Sequence, residues 1–287
     1  MKAGVSCGNL SDAVLMSHSD WKVQAVAISR RILLGGMTSA AVLGVTQQWP
    51  VTAQDGTPVA VESASPVAEL SGDPGFAIAR VRALPSAELN EAIVPHVLHR
   101  FFPTIEVVPG FRGYVFANHY DDPAATITLT LTDDDSSASA SDDAAQGFVD
   151  GLDPRFTVET PMAERGPLRI FRATDRGAEE LPPFLNGCQL TIRNRVTAPD
   201  ADIEAVIALA SEGLVPMLAE MDGFVMYVWM QIEGGRVAIN IWETTEQLAA
   251  GDAAVSEWVA QNTVNTTVGD PIVNSGPIIY ASMPGIV

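Results

Sequence analysis

The second half of this chain repeats the first. Pro-Gly-Phe at 109–111 with Tyr114 returns as Asp-Gly-Phe at 222–224 with Tyr227, 113 positions further on, and past a three-residue deletion the offset becomes 110. Further matches at these two offsets are Arg80 with Arg193, Arg82 with Arg195, Asp142 with Asp252 and Phe148 with Trp258. So many matches in order predict two copies of one fold. We place repeat 1 at 75–174 and repeat 2 at 187–287, with a linker at 175–186.

Both copies show the same order of predicted elements. A strand with two-residue alternation comes first, Phe76–Ala83 or Leu190–Val196. A helix follows, then a hairpin that turns at residues 233–235 in repeat 2, a second helix over about 245–259 and a last strand over about 277–282. This β-α-β-β-α-β order is the ferredoxin-like unit. Its helices cover one face of the sheet, so two sheets can bury their open faces against each other.

The fold class predicted from this order is α+β, with two ferredoxin-like repeats packed sheet to sheet in a monomeric pseudo-dimer. Both copies resemble antibiotic-biosynthesis-monooxygenase-type domains of the dimeric α+β barrel superfamily. The residues that carry the resemblance are the two motifs with Tyr114 and Tyr227, and the run Ile-Trp-Glu-Thr-Thr-Glu-Gln-Leu at 241–248. The resemblance implies the barrel fold. Its members include cofactor-independent monooxygenases, haem-degrading enzymes and proteins without known activity.

The N-terminus resembles a twin-arginine (Tat) export signal. Ser29-Arg30-Arg31 begins the motif, an apolar segment continues to Val45, and small residues precede a cleavage site after Ala53. We predict a signal peptide at 1–53, with Met1 or Met16 as the start, and a linker at 54–74. The expected destination is the extracellular space or the cell envelope.

Composition excludes two kinds of partner. The formal net charge is −19 and the pI is about 4.4, which argues against nucleic acid, because phosphate binding needs a cationic surface. No apolar run reaches the roughly 18 residues of a membrane span, so no membrane insertion is expected after processing. The expected partner is a small molecule.

The resemblance also suggests catalytic candidates. Cofactor-independent oxygenation needs a dry cavity, a base and a group that stabilises an oxyanion. The candidates are Tyr114, Tyr227 and His96, and we expect His96 on the buried side of its helix. The alternative for His96 is a core histidine that is simply hydrogen-bonded. His96 and His99 lack a nearby third ligand, so we predict no metal and no cofactor.

The ligand-binding candidates follow from strand alternation. Four arginines share one face of the first strands and are predicted to face the gap between the two sheets: Arg80, Arg82, Arg193 and Arg195. Thr126, Thr128, Thr130, Asn240 and Trp242 share that face, and Trp229 is a further aromatic candidate. The arginines would hold an anionic ligand, or else pair with internal carboxylates such as Glu243.

Haem binding or degradation is a minor alternative. Asn194-Arg195 resembles the Asn-Arg pair of haem-degrading members, and alternation predicts that Asn194 points to the helix-facing side. Where that resemblance calls for a pocket tryptophan the chain has Gly251, and repeat 2 contains no histidine. We therefore predict an exported barrel that binds a small hydrophobic or aromatic molecule and is a candidate cofactor-independent monooxygenase. The alternative is a non-catalytic ligand-binding or structural barrel.

Overall fold

The computed structural model describes residues 75–174, 185–263 and 266–283. The predicted signal peptide, the linker at 54–74 and most of the linker at 175–186 lie outside the described residues. Within the described part of the chain, no helix is both long and apolar enough to span a membrane.

The two repeats have the same element order. Repeat 1 contains β1 (Phe76–Ala83), α1 (Ala87–His96), a π-helical turn (Val97–Phe101), α2 (Phe102–Glu106), β2 (Phe111–Asn118), β3 (Ala125–Thr132), α3 (Asp135–Asp150) and β4 (Glu159–Ala173). Repeat 2 contains β5 (Gln189–Thr197), α4 (Ile203–Leu209), a π-helical turn (Ala210–Leu214), α5 (Val215–Ala219), β6 (Phe224–Ile232), β7 (Gly235–Trp242), α6 (Thr245–Asn262) and β8 (Thr267–Ser282). The predicted order is confirmed. The π-helical turns were not predicted.

Short side chains fix where the helices begin. Four caps accept a hydrogen bond from the backbone N–H three residues later: Ser86 before α1, Asp134 before α3, Asp202 before α4 and Thr244 before α6. The β6–β7 hairpin turns through Glu233 and Gly234, and Gly234 has the positive φ of +66° that such a turn requires.

The eight strands form one closed antiparallel barrel in the order β1-β3-β2-β8-β5-β7-β6-β4. β4 and β8 close it, because each pairs first with its own repeat and then with the other. β4 pairs with β1 and then with β6, while β8 pairs with β5 and then with β2. These strands are longer than predicted for this reason.

A matched glycine marks the crossing in each long strand. A Cβ on Gly166 would lie 1.7 Å from the carbonyl oxygen of Gln231, and a Cβ on Gly276 would lie 1.7 Å from that of Asn118. Only glycine allows the two backbones to approach this closely. Each of these glycines is followed by a proline, and this repeated Gly-Pro pair serves the closure of the barrel.

The barrel interior is a dry core shared by both repeats. It is built from the inward-facing aliphatic residues of all eight strands, including Ala79, Val81, Leu129, Ile192 and Ile239. The predicted packing of one sheet against the other is thus confirmed. Two further cores lie outside the barrel, each beneath the helices of one repeat. Each also takes in the end of the other repeat's last strand, through Ile170 of β4 in one core and Tyr280 of β8 in the other.

Candidate functional site

The arginines lie on the face opposite to the one predicted. The sequence correctly groups them with Thr128 and Asn240 on one face, but that face packs against the helices, as the barrel core contains the alternate residues. The physical reason is that the barrel interior is mostly aliphatic, whereas a buried guanidinium needs counter-ions. The helices supply them.

Each repeat pairs its first-strand arginine with an aspartate of its last helix. Arg80 forms an ion pair with Asp142 on α3, and Arg193 forms one with Asp252 on α6. Both arginines are buried. The pairs occupy matching positions in the two repeats and fasten the helix to the sheet.

A tyrosine lies beside these arginines in each repeat. Tyr114 is buried, and burial raises its pKa to about 12 despite the opposite influence of Arg82 and Arg80. Its hydroxyl therefore keeps its proton at neutral pH and can donate a hydrogen bond. Burial likewise raises the pKa of Tyr227, against the influence of Arg236, Arg193 and Arg195.

Repeat 1 has a cavity of about 30 Å³ in its helix–sheet layer. Its polar lining consists of Arg82, Tyr114, Thr126 and Thr128. Its apolar lining comes from strands, helices and loops: Leu84, Ile93, Val97, Phe101, Phe116, Phe148, Val149 and Val158. The cavity is therefore an apolar recess with polar groups on its sheet side.

Arg82 is the charged group at this cavity. Its Nε is buried without a hydrogen-bond partner, and the described residues place no carboxylate within ion-pair distance of it. Burial lowers its pKa, although Tyr114 acts in the opposite direction. A half-buried guanidinium whose Nε is buried and unpartnered at the edge of a recess is suited to an anionic group.

The corresponding layer of repeat 2 carries larger side chains on its sheet. Trp242 packs so closely on α6 that a Cβ on Gly251 would lie 2.1 Å from its ring. Arg236 is buried with its guanidinium 4.9 Å from the ring centre of Trp229. Burial lowers the pKa of Arg236 to about 10.

Asn194 and His96 also lie elsewhere than predicted. Asn194 faces the barrel side and its amide donates to Glu164 Oε1 at 2.9 Å, so it does not point to the helix layer. His96 is half-buried and does not line the cavity; its ring packs edge-on against Phe156 at 5.5 Å. The π-helical turn begins directly after His96 and directs Val97 towards the sheet in its place.

Sequence reasoning missed the roles of Asp142, Asp252 and Arg236. The two aspartates had a signal, because they match at the offset of 110. Arg236 had none, since its counterpart in repeat 1 is Thr126. Among the described residues, no group of three His, Cys, Asp or Glu side chains is arranged to hold a metal ion.

No family model matches this chain, and no curated protein matches it significantly. Solved structures do match. A candidate monooxygenase from Fusobacterium nucleatum has a TM-score of 0.55 at 9% identity, over 74% of this chain and 95% of its own. An anthrone oxidase-like protein has a TM-score of 0.51 at 14% identity, over 77% and 97%. A candidate chlorite dismutase has a TM-score of 0.51 at 10% identity, over 73% and 95%.

These matches define the class of the fold. Each covers more of the chain than one repeat, so both repeats take part. The neighbours carry the names of different reactions, and at such low identity the likeness shows the fold alone. The protein is an α+β chain with the ferredoxin-like barrel that these neighbours share.

Proposed function

We propose that the protein binds, in the cavity of repeat 1, a small and largely apolar molecule with one acidic oxygen. The observation that carries this proposal is Arg82 beside Tyr114 at the cavity. Both groups donate hydrogen bonds, so together they favour an anionic oxygen such as a phenolate, enolate or carboxylate. The apolar wall opposite them favours an aromatic or aliphatic body.

The size of the cavity requires one wall to move. About 30 Å³ holds a water-sized group, whereas an apolar cavity that admits benzene measures about 150 Å³. The wall best suited to move is the segment 151–158, which has neither helix nor strand and contributes Val158 to the lining. Opening it would separate Phe156 from His96, so His96 would secure the closed cavity.

A second candidate function is cofactor-independent monooxygenation of the bound molecule, which the names of the monooxygenase and anthrone oxidase-like neighbours favour. The ionised ligand would itself reduce O₂: a CH₂ group becomes C=O, one oxygen atom enters the ligand and the other leaves as water. Among the described residues, no carboxylate or imidazole lines the cavity. The ligand must therefore be acidic enough to ionise beside Arg82, whose charge stabilises the anion.

The binding site is tested with phenols, enols and aromatic carboxylates, using isothermal titration calorimetry on Arg82→Gln and its repeat-matched control Arg195→Gln. Loss of a charge-assisted hydrogen bond should weaken anionic ligands roughly 10- to 100-fold in Arg82→Gln. Neutral analogues should change little, and Arg195→Gln should bind as the unmodified protein does. Equal losses in both variants would contradict the site.

Oxygen uptake separates the two functions. Each ligand that binds is incubated in air with the protein, and O₂ consumption is followed with an electrode. Turnover that Tyr114→Phe and Arg82→Gln reduce would support oxygenation. Binding without uptake across the whole panel would leave a ligand-binding barrel and rule out the oxygenase.

We also propose that the chain is exported by the twin-arginine pathway and acts as a monomer. The support is the motif at Arg30-Arg31 and the closure of a barrel within one chain. Replacing both arginines by lysine should retain the precursor in the cytoplasm, as detected by fractionation. Light scattering on the exported protein should give the mass of one chain.

A further inference from the structure

Ala238 lies on the helix-facing side of the repeat 2 sheet, and we call the small area over its methyl group the depression. Ala238 is partly exposed, although four residues around it are buried: Arg193, Trp229, Arg236 and Asn240. Arg193 and Trp229 lie directly opposite it on the neighbouring strands, and Arg236 and Asn240 lie two residues before and after it. Opposite cross-strand residues have Cβ atoms about 5 Å apart. The four side chains therefore border one small area.

Each of these four neighbours has a polar atom without a partner. The atoms are Nη1 of Arg193, Nε1 of Trp229, Nη1 of Arg236, and both the nitrogen and the oxygen of the Asn240 amide. Buried polar atoms in folded proteins are normally hydrogen-bonded. Most of this set can only donate. Water carries donors as well as acceptors, so a group that only accepts hydrogen bonds balances the set better.

The charges around Ala238 also favour an anion. Two neighbouring arginines already have a carboxylate nearby: Arg193 is paired with Asp252, and Arg195, opposite Arg236 on β5, has Asp270 within electrostatic range. Arg236 is 3% exposed, and no carboxylate of the described residues lies within ion-pair distance of it. A buried guanidinium without a counter-ion is costly, and the ring of Trp229 offsets only part of that cost.

We propose that the depression over Ala238 binds a small oxyanion, held by Arg236, Arg193, Trp229 and the Asn240 amide. This site is separate from the cavity of repeat 1 and does not depend on the function proposed for it. Repeat 1 offers no equivalent, because buried Thr128 stands in the place of Ala238.

The test measures thermal unfolding during titration with sodium sulfate, against sodium chloride at equal ionic strength. Sulfate also stabilises proteins without binding, but that effect does not saturate and is the same in every variant. We expect a saturating rise of Tm in the unmodified protein at millimolar sulfate or below. Sodium benzoate forms a second arm and is titrated into Arg82→Gln, so that the repeat 1 cavity, which is proposed to take aromatic carboxylates, does not contribute. Tighter binding of sulfate indicates a tetrahedral anion, and tighter binding of benzoate indicates a carboxylate.

Two variants remove the site in different ways. Arg236→Gln removes the charge and Ala238→Val fills the depression, and each should weaken the saturating response at least tenfold. Arg82→Gln, in repeat 1, should retain it. Without sulfate, Arg236→Gln should match or exceed the Tm of the unmodified protein, because an unpaired buried charge is gone.

A purely structural role for Arg236 predicts a different pattern. Arg236→Gln would then lower Tm equally with and without sulfate. That result, the absence of a saturating response to both anions, or an undiminished response in Ala238→Val would overturn the proposal.

Discussion

Repeat 1 keeps a cavity between its helices and its sheet, whereas the same layer of repeat 2 is packed with larger side chains. Both layers share a buried tyrosine, two first-strand arginines and an Arg–Asp pair to the last helix. The side chains in the two layers differ at four matched positions. With the repeat 1 residue given first, these are Phe116 and Trp229, Thr126 and Arg236, Thr132 and Trp242, and Phe148 and Trp258. Each exchange places a bulkier group in repeat 2.

The difference shows what duplication permits. Barrel closure needs both sheets, because β4 and β8 each pair with both repeats. The helix-facing layers are less constrained, since each is built on the helices of one repeat and takes only the end of one strand, β4 or β8, from the other. One layer can therefore carry larger side chains while the other keeps a recess, and the barrel remains intact. Three predictions test this comparison.

The prediction with the largest effect on unfolding free energy concerns the buried tyrosine that both layers share. The folded-state pKa of Tyr114 is raised to about 12, so its proton stabilises the fold fully below pH 10, and this contribution is lost as pH rises from 10 towards 12. A shift of this size corresponds to about 3 kcal/mol. Tyr114→Phe should remove that part of the alkaline fall in unfolding free energy, measured by urea titration at several pH values.

The buried arginines act in the opposite direction. The pKa values of Arg80 and Arg236 are lowered to about 10, so their contribution to stability rises above that pH. The difference between each variant and the unmodified protein isolates the tyrosine. Tyr227→Phe should likewise remove part of the alkaline fall in unfolding free energy, because burial raises the pKa of Tyr227 as well. Parallel curves for Tyr114→Phe and the unmodified protein would refute the shared framework.

The second prediction breaks the packing of repeat 2 alone. In Gly251→Ala the new Cβ collides with the Trp242 ring, and overpacking of this kind should cost about 2 kcal/mol in urea unfolding. The matched change Ser141→Ala, in repeat 1, removes a buried hydroxyl without a partner and should cost less than about 1 kcal/mol.

Ligand affinity at the repeat 1 cavity is the control for this pair. It should be unchanged in Gly251→Ala, because Trp242 does not line that cavity. A smaller loss of stability in Gly251→Ala than in Ser141→Ala would show that the two layers are not packed differently.

Much of the fold could be predicted because it depends on local patterns. The bounds of β1 follow from alternation alone, and the β6–β7 turn follows from the glycines at 234 and 235. The offsets between the repeats gave the element order twice. The π-helical turn at Val97–Phe101 left no comparable signal, since its residues also suit an α-helix.

The candidate site could be predicted only in part. Alternation divides a strand into two faces, but it does not say which face packs on the helices. The face with Leu190 and Ile192 is the more apolar, and it packs inside the barrel against the aliphatic residues of the other strands. Arg80 could be assigned correctly only together with Asp142, its partner on another element.

The prediction with the smallest effect tests whether Asn194 faces the barrel interior while the ligand lies on the helix-facing side. Asn194→Ala removes a hydrogen bond to Glu164 on the barrel side and should cost about 1 kcal/mol in urea unfolding. Ligands of the repeat 1 cavity should bind with unchanged affinity, because Asn194 lies on the other face of the barrel wall. A several-fold loss of affinity in Asn194→Ala, with Arg82→Gln unaffected, would instead place the ligand inside the barrel.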